Sequence, residues 1–249
     1  MMFLKTAEEI ELMRKGADIL TQVHKEVVTH VKPGITTAEL DKIAETVIRD
    51  HNAIPSFKGY NGYPATLCTS VNEQVIHGIP SHYYLKDGDI LSIDCGVYYQ
   101  KHHTDAANTV PIGNISKELL NLLSQTKEAL YLAIEKATTQ HTIEDLGHTI
   151  EQHIKKHNYH VIKEYGGHGI GKHLHEEPHI PNYPTTQHQE KIKNGMVLAI
   201  EPIVSLGQPD IYEGSDGWTV QTKDLSPTAH YEHTIAIINN QPEILTKHL

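Results

Sequence analysis

Apolar and polar positions along the chain recur with two different periods, and the switches between them outline the elements. Thr6-x-x-Glu9 has the form of a capping box, in which side chains satisfy the free amides at a helix start. Ile10, Met13, Ala17 and Leu20 then follow at the spacing of one helical face. Pro33-Gly34 closes that helix. Thr36-x-x-Glu39 opens a second helix that reaches about His51. Glycine and tyrosine punctuation comes next, and short strands are predicted over residues 90–93 and 97–100. The second half does the same. Ser116 opens a helix through about Lys136, and Thr142 caps another running to about His157.

The two halves align. At an offset of 106, Leu40 matches Leu146, Glu45 matches Glu151, Ile48 matches Ile154, and His51-Asn52 matches His157-Asn158. At an offset of 107, LKDGDILSID (85–94) lies over IKNGMVLAIE (192–201), with four of ten positions identical and five more close in chemistry. An internal repeat of this kind predicts one α+β domain spanning 1–249. Its two helix-helix-strand-strand halves, about 6–113 and 114–240, would be related by a pseudo-twofold axis. The repeat pairs Asp94 with Glu201, each expected to end an apolar strand. Asp105 and Glu232 come further on in matching roles, but their separations from the first acids are 11 and 31 residues. The extra twenty contain GSDGW, a turn-rich loop with the only tryptophan, Trp218.

Each acid alone reads most simply as a solvated surface charge, since Asp and Glu are rarely buried unpaired. Four that converge near an axis are different, because without cations they would repel and be forced to protonate. Two divalent ions balance four carboxylates by count. Oxygen-rich ligation with a histidine suits Mn, Fe, Co or Zn, and a two-metal centre can activate water and polarise a carbonyl. HEEPH (175–179) matches the zinc-protease pattern H-E-x-x-H, but that pattern needs a helix to stack its histidines. Pro178 falls inside it, with Pro181 and Pro184 beyond. A metal histidine is therefore to be sought elsewhere.

Composition excludes several classes. With 249 residues, 38% hydrophobic and 21% charged, the chain can build a sizeable core without staples. A net charge of −10 with dispersed Lys and Arg argues against a nucleic-acid surface. Two cysteines, Cys68 and Cys95, argue against a disulfide framework and for a reducing compartment. No run is long and apolar enough to span a membrane, and the first residues carry charges too often for a signal peptide. These features predict a cytoplasmic protein.

The motifs FKGYNGYPATLC, NEQVIHGIP, LSIDCGV, HTDAANT, YGGHGIG, LHEEP, LAIEP, GWTV and YEHTIAI, in this order over nearly the whole chain, resemble the type I methionine aminopeptidases. These enzymes remove initiator methionine. The resemblance implies a pita-bread fold: a curved antiparallel sheet with helices on its outer face. It implies two divalent metal ions (Co, Zn, Mn or Fe) held by Asp94, Asp105, His168, Glu201 and Glu232. Asp105 and Glu232 would bridge both ions, Asp94 would chelate one, and His168 with Glu201 would complete the other. Glu201 would assist deprotonation of the attacking water, His175 would stabilise the oxyanion, and His77 would contact the scissile amide or the next residue. Phe57, Tyr60, Tyr63, Cys68 and Trp218 would line the methionine pocket. The glycines around His168 fit a tight path with little structure of its own.

The resemblance further implies substrates with a small second residue, drawn from N-terminal Met peptides and nascent chains at the ribosome. By that rule the chain's own Met1-Met2 start would keep Met1. The protein would act as a monomer, without nucleic acid or membrane. Phe57 and Leu174 depart from the commonest bacterial residues, cysteine and phenylalanine, and bear on pocket shape. Nothing before the first helix suggests the extensions of some relatives, and 33 residues between His168 and Glu201 leave no room for the type II insertion. Two alternatives share the fold. One is a proline-directed aminopeptidase or prolidase, which carries a large N-terminal domain. The other is a non-catalytic binding protein, which would have lost ligands that this chain keeps.

Overall fold

The computed structural model describes residues 3–187 and 189–247; the Met1-Met2 start and the outermost residues of the 1–249 span lie outside the described residues. The first half runs α1 (Ala7–His30), α2 (Thr37–Asp50), β1 (Ile54–Pro55), β2 (Leu67–Val71), β3 (Gln74–Ile76), β4 (Ile90–Tyr99) and β5 (His102–Pro111). The second runs α3 (Lys117–Lys136), α4 (Ile143–Lys156), β6 (His160–Val161), β7 (Gly166–Gly169), β8 (Glu176–Pro181), β9 (Val197–Ile200) and β10 (Ile203–Ser205). It continues with β11 (Ile211–Glu213), β12 (Val220–Thr222), β13 (Thr228–His230), β14 (His233–Ile238) and β15 (Gln241–Ile244).

The helix starts follow local chemistry. Thr6 with Glu9, Thr36 with Glu39 and Thr142 with Asp145 close complete capping boxes, and Ser116 accepts from the Leu119 amide. Each helix pair buries one stripe. Leu20, Leu40 and Ile48 pack with Leu67, Leu91, Ile93, Cys95 and Val97 in one core. Leu130, Leu146, Ile150 and Ile154 pack with Leu198, Ile200 and Ile235 in the other. Strand alternation then aims the remaining side chains at the opposite face. Ile93 and Cys95 point to the helices, so Asp94 points away; Ala106 points in and Asp105 away; Ile200 in and Glu201 away; Tyr231 in and Glu232 away.

The halves meet along β5 and the β13–β14 segment. The Asp105 amide donates to Thr234 Oγ1 (2.9 Å), and that hydroxyl donates to the Asp105 carbonyl (2.7 Å). The Glu232 amide donates to the Ala107 carbonyl (2.9 Å). This contact carries Asp105 and Glu232 to one place.

Three expectations are corrected. Residues 90–93 and 97–99 belong to one strand, β4, with Gln100 in the turn beyond it, because β2 and β5 pair with it from both sides through Asp94, opposite Cys68 and Ala107. LSID therefore does not end a strand, whereas LAIE does, since Pro202 has no amide for the ladder. The run around His168 has regular structure: it is β7, paired with β8 and β9. Its glycines permit close approach, since a Cβ on Gly167 or Gly169 would collide with the carbonyl oxygens of Ala199 and Glu177. HEEPH, which its prolines keep from forming a helix, contributes to the strand β8. The extra twenty residues form the β11–β12 hairpin, whose second strand pairs with β3 of the first half.

A buried ion pair ties the chain start to β8. Lys5 Nζ lies 2.5 Å from Glu176 Oε2, with side chains 5% and 2% exposed, and Glu176 also accepts from the His173 amide (3.1 Å). Removing one partner leaves the other charge buried. Lys5→Met is therefore expected to destabilise the fold by roughly 3–5 kcal/mol. Urea unfolding of the two proteins measures this, and a change under about 1 kcal/mol would show that the pair behaves as a surface pair does.

Candidate metal centre

Every ligand and pocket residue expected from the sequence lines one cavity of about 200 Å³. At its floor are Asp94, Asp105, His168, Glu201 and Glu232, and around its walls Phe57, Tyr60, Tyr63, Cys68, His77, His175 and Trp218, with Asn61 and Leu174 added. Asp105, His168 and Glu232 are buried and offer ligand atoms all within 4.8 Å of one another. Glu201 joins them with its Oε1 3.8 Å from His168 Nε2. His168 Nδ1 lies 2.9 Å from the Gly169 carbonyl, an acceptor, so Nδ1 carries the proton and Nε2 presents a lone pair to the acids.

The walls are set by short-range order. The Tyr63 hydroxyl reaches the carbonyls of Leu67 (2.9 Å) and Gly78 (3.1 Å), which fixes its ring edge-on to Trp218 at 5.1 Å. His77 leaves β3 with φ +58°, a left-handed turn uncommon outside glycine, and its ring stands 6.4 Å from Trp218. His175 stands exposed at the mouth, 4.5 Å ring to ring from His168, with Nδ1 2.9 Å from the Tyr60 hydroxyl. Cys68 is buried in the wall and Cys95 in the helix-side core; both thiols are free.

The electrostatics call for cations. Burial, with His230 opposing and Glu201 reinforcing, pushes Asp94 up to about 7. Burial and then the Asp94 charge raise Asp105 well above the carboxylate range; burial and then Asp105 do the same to Glu232. Burial alone would raise Glu201, but contact with His230 and the charge of His168 hold it below its ordinary value. Burial lowers His168 and His77, which favours the neutral, ligating form. Asp94 Oδ1 and Glu232 Oε1 are sealed from solvent with no hydrogen-bond partner among the described residues. Native proteins rarely leave such atoms unpaired, so two orphaned oxygens in a cluster of four carboxylates with a lone-pair nitrogen fit divalent metal ions.

Sequence reasoning missed His230. It lies 3.2 Å from Glu201 through its Nε2 and is 2% exposed. The signal was present: His230 precedes Glu232 by two along an extended segment, so both face the same side.

Metal-free protein has a pH dependence whose sign follows from these shifts. Above about pH 6.5 unfolded carboxylates are already ionised, while Asp94, Asp105 and Glu232 hold protons in the fold. The folded state then binds more protons, and stability falls as pH rises. His230, raised by Glu201 against the opposing effect of burial, acts in the same direction. The histidines lowered by burial, His24, His103, His175 and His233 to about 4 and His77, His153 and His168 with them in direction, oppose this until unfolded histidines are neutral, roughly one pH unit above their ordinary 6.5. Each group still protonated contributes about 1.4 kcal/mol per pH unit, or roughly 3–5 °C. Thermal melts of chelator-stripped protein should move down between about pH 7.5 and 8.5, where unfolded histidines are neutral, and added divalent ion should reverse the fall. A melting temperature that rises over this interval would rule out buried protonated acids.

The fold and the ligand constellation together define a metallopeptidase. The family model for metallopeptidase family M24 matches residues 11–239, and the chain belongs to that family. Within it, the chain is 49% identical over 246 residues to the methionine aminopeptidase of Clostridium perfringens, covering 99% of both. It superposes on the crystal structure of the methionine aminopeptidase of Thermotoga maritima with a TM-score of 0.97 at 40% identity, covering 99% of this chain and 100% of that one. The prolidase of Pyrococcus furiosus shares the fold at a TM-score of 0.80 and 24% identity, and the match covers 98% of this chain but 65% of that protein.

Proposed function

We propose that the protein hydrolyses the peptide bond after an N-terminal methionine when the following residue is small. The observation that carries this is the single cavity joining the ligand cluster to an aromatic and sulfur-lined wall. At about 200 Å³ it lies below the roughly 300–1,000 Å³ of drug-sized sites and suits one side chain. A flexible thioether packs well against the edges of Tyr63 and Trp218, beside Phe57 and Cys68. The two relatives above at 49% and 40% identity carry the name of this activity.

Two divalent ions, with Asp105 and Glu232 shared, Asp94 on one and His168 and Glu201 on the other, would occupy the cluster. When bound, they supply an activated water and polarise the peptide carbonyl. The protein's own groups do the rest. Glu201, held ionised, takes the water's proton. His175 stays neutral at physiological pH, with desolvation and then His168 lowering it, and it donates to the developing oxyanion. His77 contacts the scissile amide and narrows the space for the second residue. The whole chain acts as one catalytic domain built from halves at about 6–113 and 114–240. It works as a monomer in the cytoplasm on peptides and on nascent chains at the ribosome. Among the described residues no helix is long and apolar enough to cross a membrane.

The test is release of free methionine from Met-Ala-Ser before and after chelation, with Co²⁺, Mn²⁺, Fe²⁺ and Zn²⁺ added back. We expect release that is lost with chelator and restored with metal. Cleavage of X-Pro peptides in place of Met-Ala-Ser would favour the proline-directed reading, and no turnover with any metal would favour a binding protein.

A further inference from the structure

We infer that His230 is a sixth metal-ligating side chain, a second nitrogen donor on the Glu201–Glu232 side of the cluster. The inference rests on the metal centre proposed above and adds a ligand to it. Glu201, His230 and Glu232 offer ligand atoms that all lie within 4.8 Å of one another, as Asp105, His168 and Glu232 do, so two donor triads share Glu232. His230 is 2% exposed, and its Nε2 has no hydrogen-bond partner among the described residues. That nitrogen is 3.2 Å from Glu201 Oε2 but is not aligned with it as a hydrogen bond. An unpaired buried imidazole nitrogen is costly, and a cation between it and two carboxylates removes the cost.

The ring is also held in place by the backbone. The His230 amide donates to Thr109 Oγ1 (2.9 Å), and the same hydroxyl donates to the His230 carbonyl (2.8 Å). His230 closes β13 just before the segment that carries Glu232 to Asp105, so its donor belongs to the same rigid contact between the halves. Each triad then holds one histidine: His168 in one, His230 in the other. Nitrogen donors favour Co, Fe and Zn over the oxygen-preferring Mn and Mg. His230 should therefore shift the metal preference of the site and not its bare capacity to bind.

The experiment uses full-length protein stripped of metal and titrated with Co²⁺ or Mn²⁺ by calorimetry, as wild type, His230→Gln and Asp105→Asn. Glutamine keeps a donor toward Glu201 but loses the imidazole nitrogen. We expect His230→Gln to weaken Co²⁺ binding by at least about tenfold, the lower end of what even an outer partner of a ligand contributes, and Mn²⁺ binding by less. Proton NMR of the unaltered Co²⁺-loaded protein gives a readout that needs no variant. Two exchangeable, hyperfine-shifted imidazole N–H signals support ligation by both His168 and His230; one signal overturns it. Unchanged Co²⁺ affinity in His230→Gln, with Asp105→Asn weakened, also overturns the inference while leaving the metal centre standing. If Asp105→Asn binds as wild type does, the metal centre itself fails and the inference goes with it.

Discussion

Asp105→Asn and Glu232→Gln should each lower release of methionine from Met-Ala-Ser by at least about a hundredfold, as for loss of an electrostatic stabiliser in a catalytic site. Both changes are nearly isosteric and remove one charge from the point where the two halves join. The fold should survive, because both backbones are held independently of the carboxylates. Asp105 exchanges two hydrogen bonds with Thr234, and the Glu232 amide binds the Ala107 carbonyl. Metal-free stability should change in the opposite direction to activity. In stripped protein each of these desolvated acids must keep a proton that the unfolded chain would release at pH 8, so removing one relieves that cost. An inactive variant whose metal-free form melts at or above the wild-type temperature at pH 8 is the expected signature. Near-normal turnover at saturating metal in either variant would mean that the bridging assignment is wrong.

Much of this site was legible in the sequence because its chemistry sits at the points where local rules act. The capping boxes at Thr6, Thr36 and Thr142 located helix starts to within a residue, since a side chain bonding to the amide three residues on is a local device. The alignment of LSID with LAIE paired Asp94 with Glu201, and alternation along β4 and past β9 puts both on the cavity side. Non-local effects were harder to read. Nothing within 90–100 reveals that neighbours on both sides would extend β4 through Asp94; that depends on β2 and β5. The glycines beside His168 suggested irregular backbone, yet their role is to let β8 and β9 approach β7. His230 lies one residue before the YEHTIAI motif, and one histidine among 20 carries little weight by itself. The Lys5–Glu176 pair joins positions 171 residues apart, and no local pattern announces it.

His175→Ala should lower the catalytic constant by roughly 10² to 10⁴, the range for an oxyanion or acid–base group, with metal content unchanged. The structure refines this expectation through Tyr60. His175 is neutral near pH 7, and a neutral imidazole can donate from only one nitrogen. With its Nδ1 2.9 Å from the Tyr60 hydroxyl, donation from that hydroxyl leaves the proton on Nε2, free to point at a substrate oxygen. Tyr60→Phe deletes this partner and keeps the ring that packs edge-on against His175 at 5.3 Å. It should reduce the catalytic constant by less than His175→Ala does, about ten-fold for one hydrogen bond of roughly 1.5 kcal/mol, with KM little changed. His77→Ala should act differently. That ring borders Trp218 and the cavity, so its loss should lower the catalytic constant and also relax the preference for a small second residue. Steady-state kinetics on Met-Ala-Ser and Met-Leu-Ser, with metal measured in each variant, separates these outcomes. If His175→Ala turned over normally once reloaded with metal, its role would be to hold the ions; if Tyr60→Phe raised KM with an unchanged catalytic constant, Tyr60 would serve the pocket and not the proton on His175.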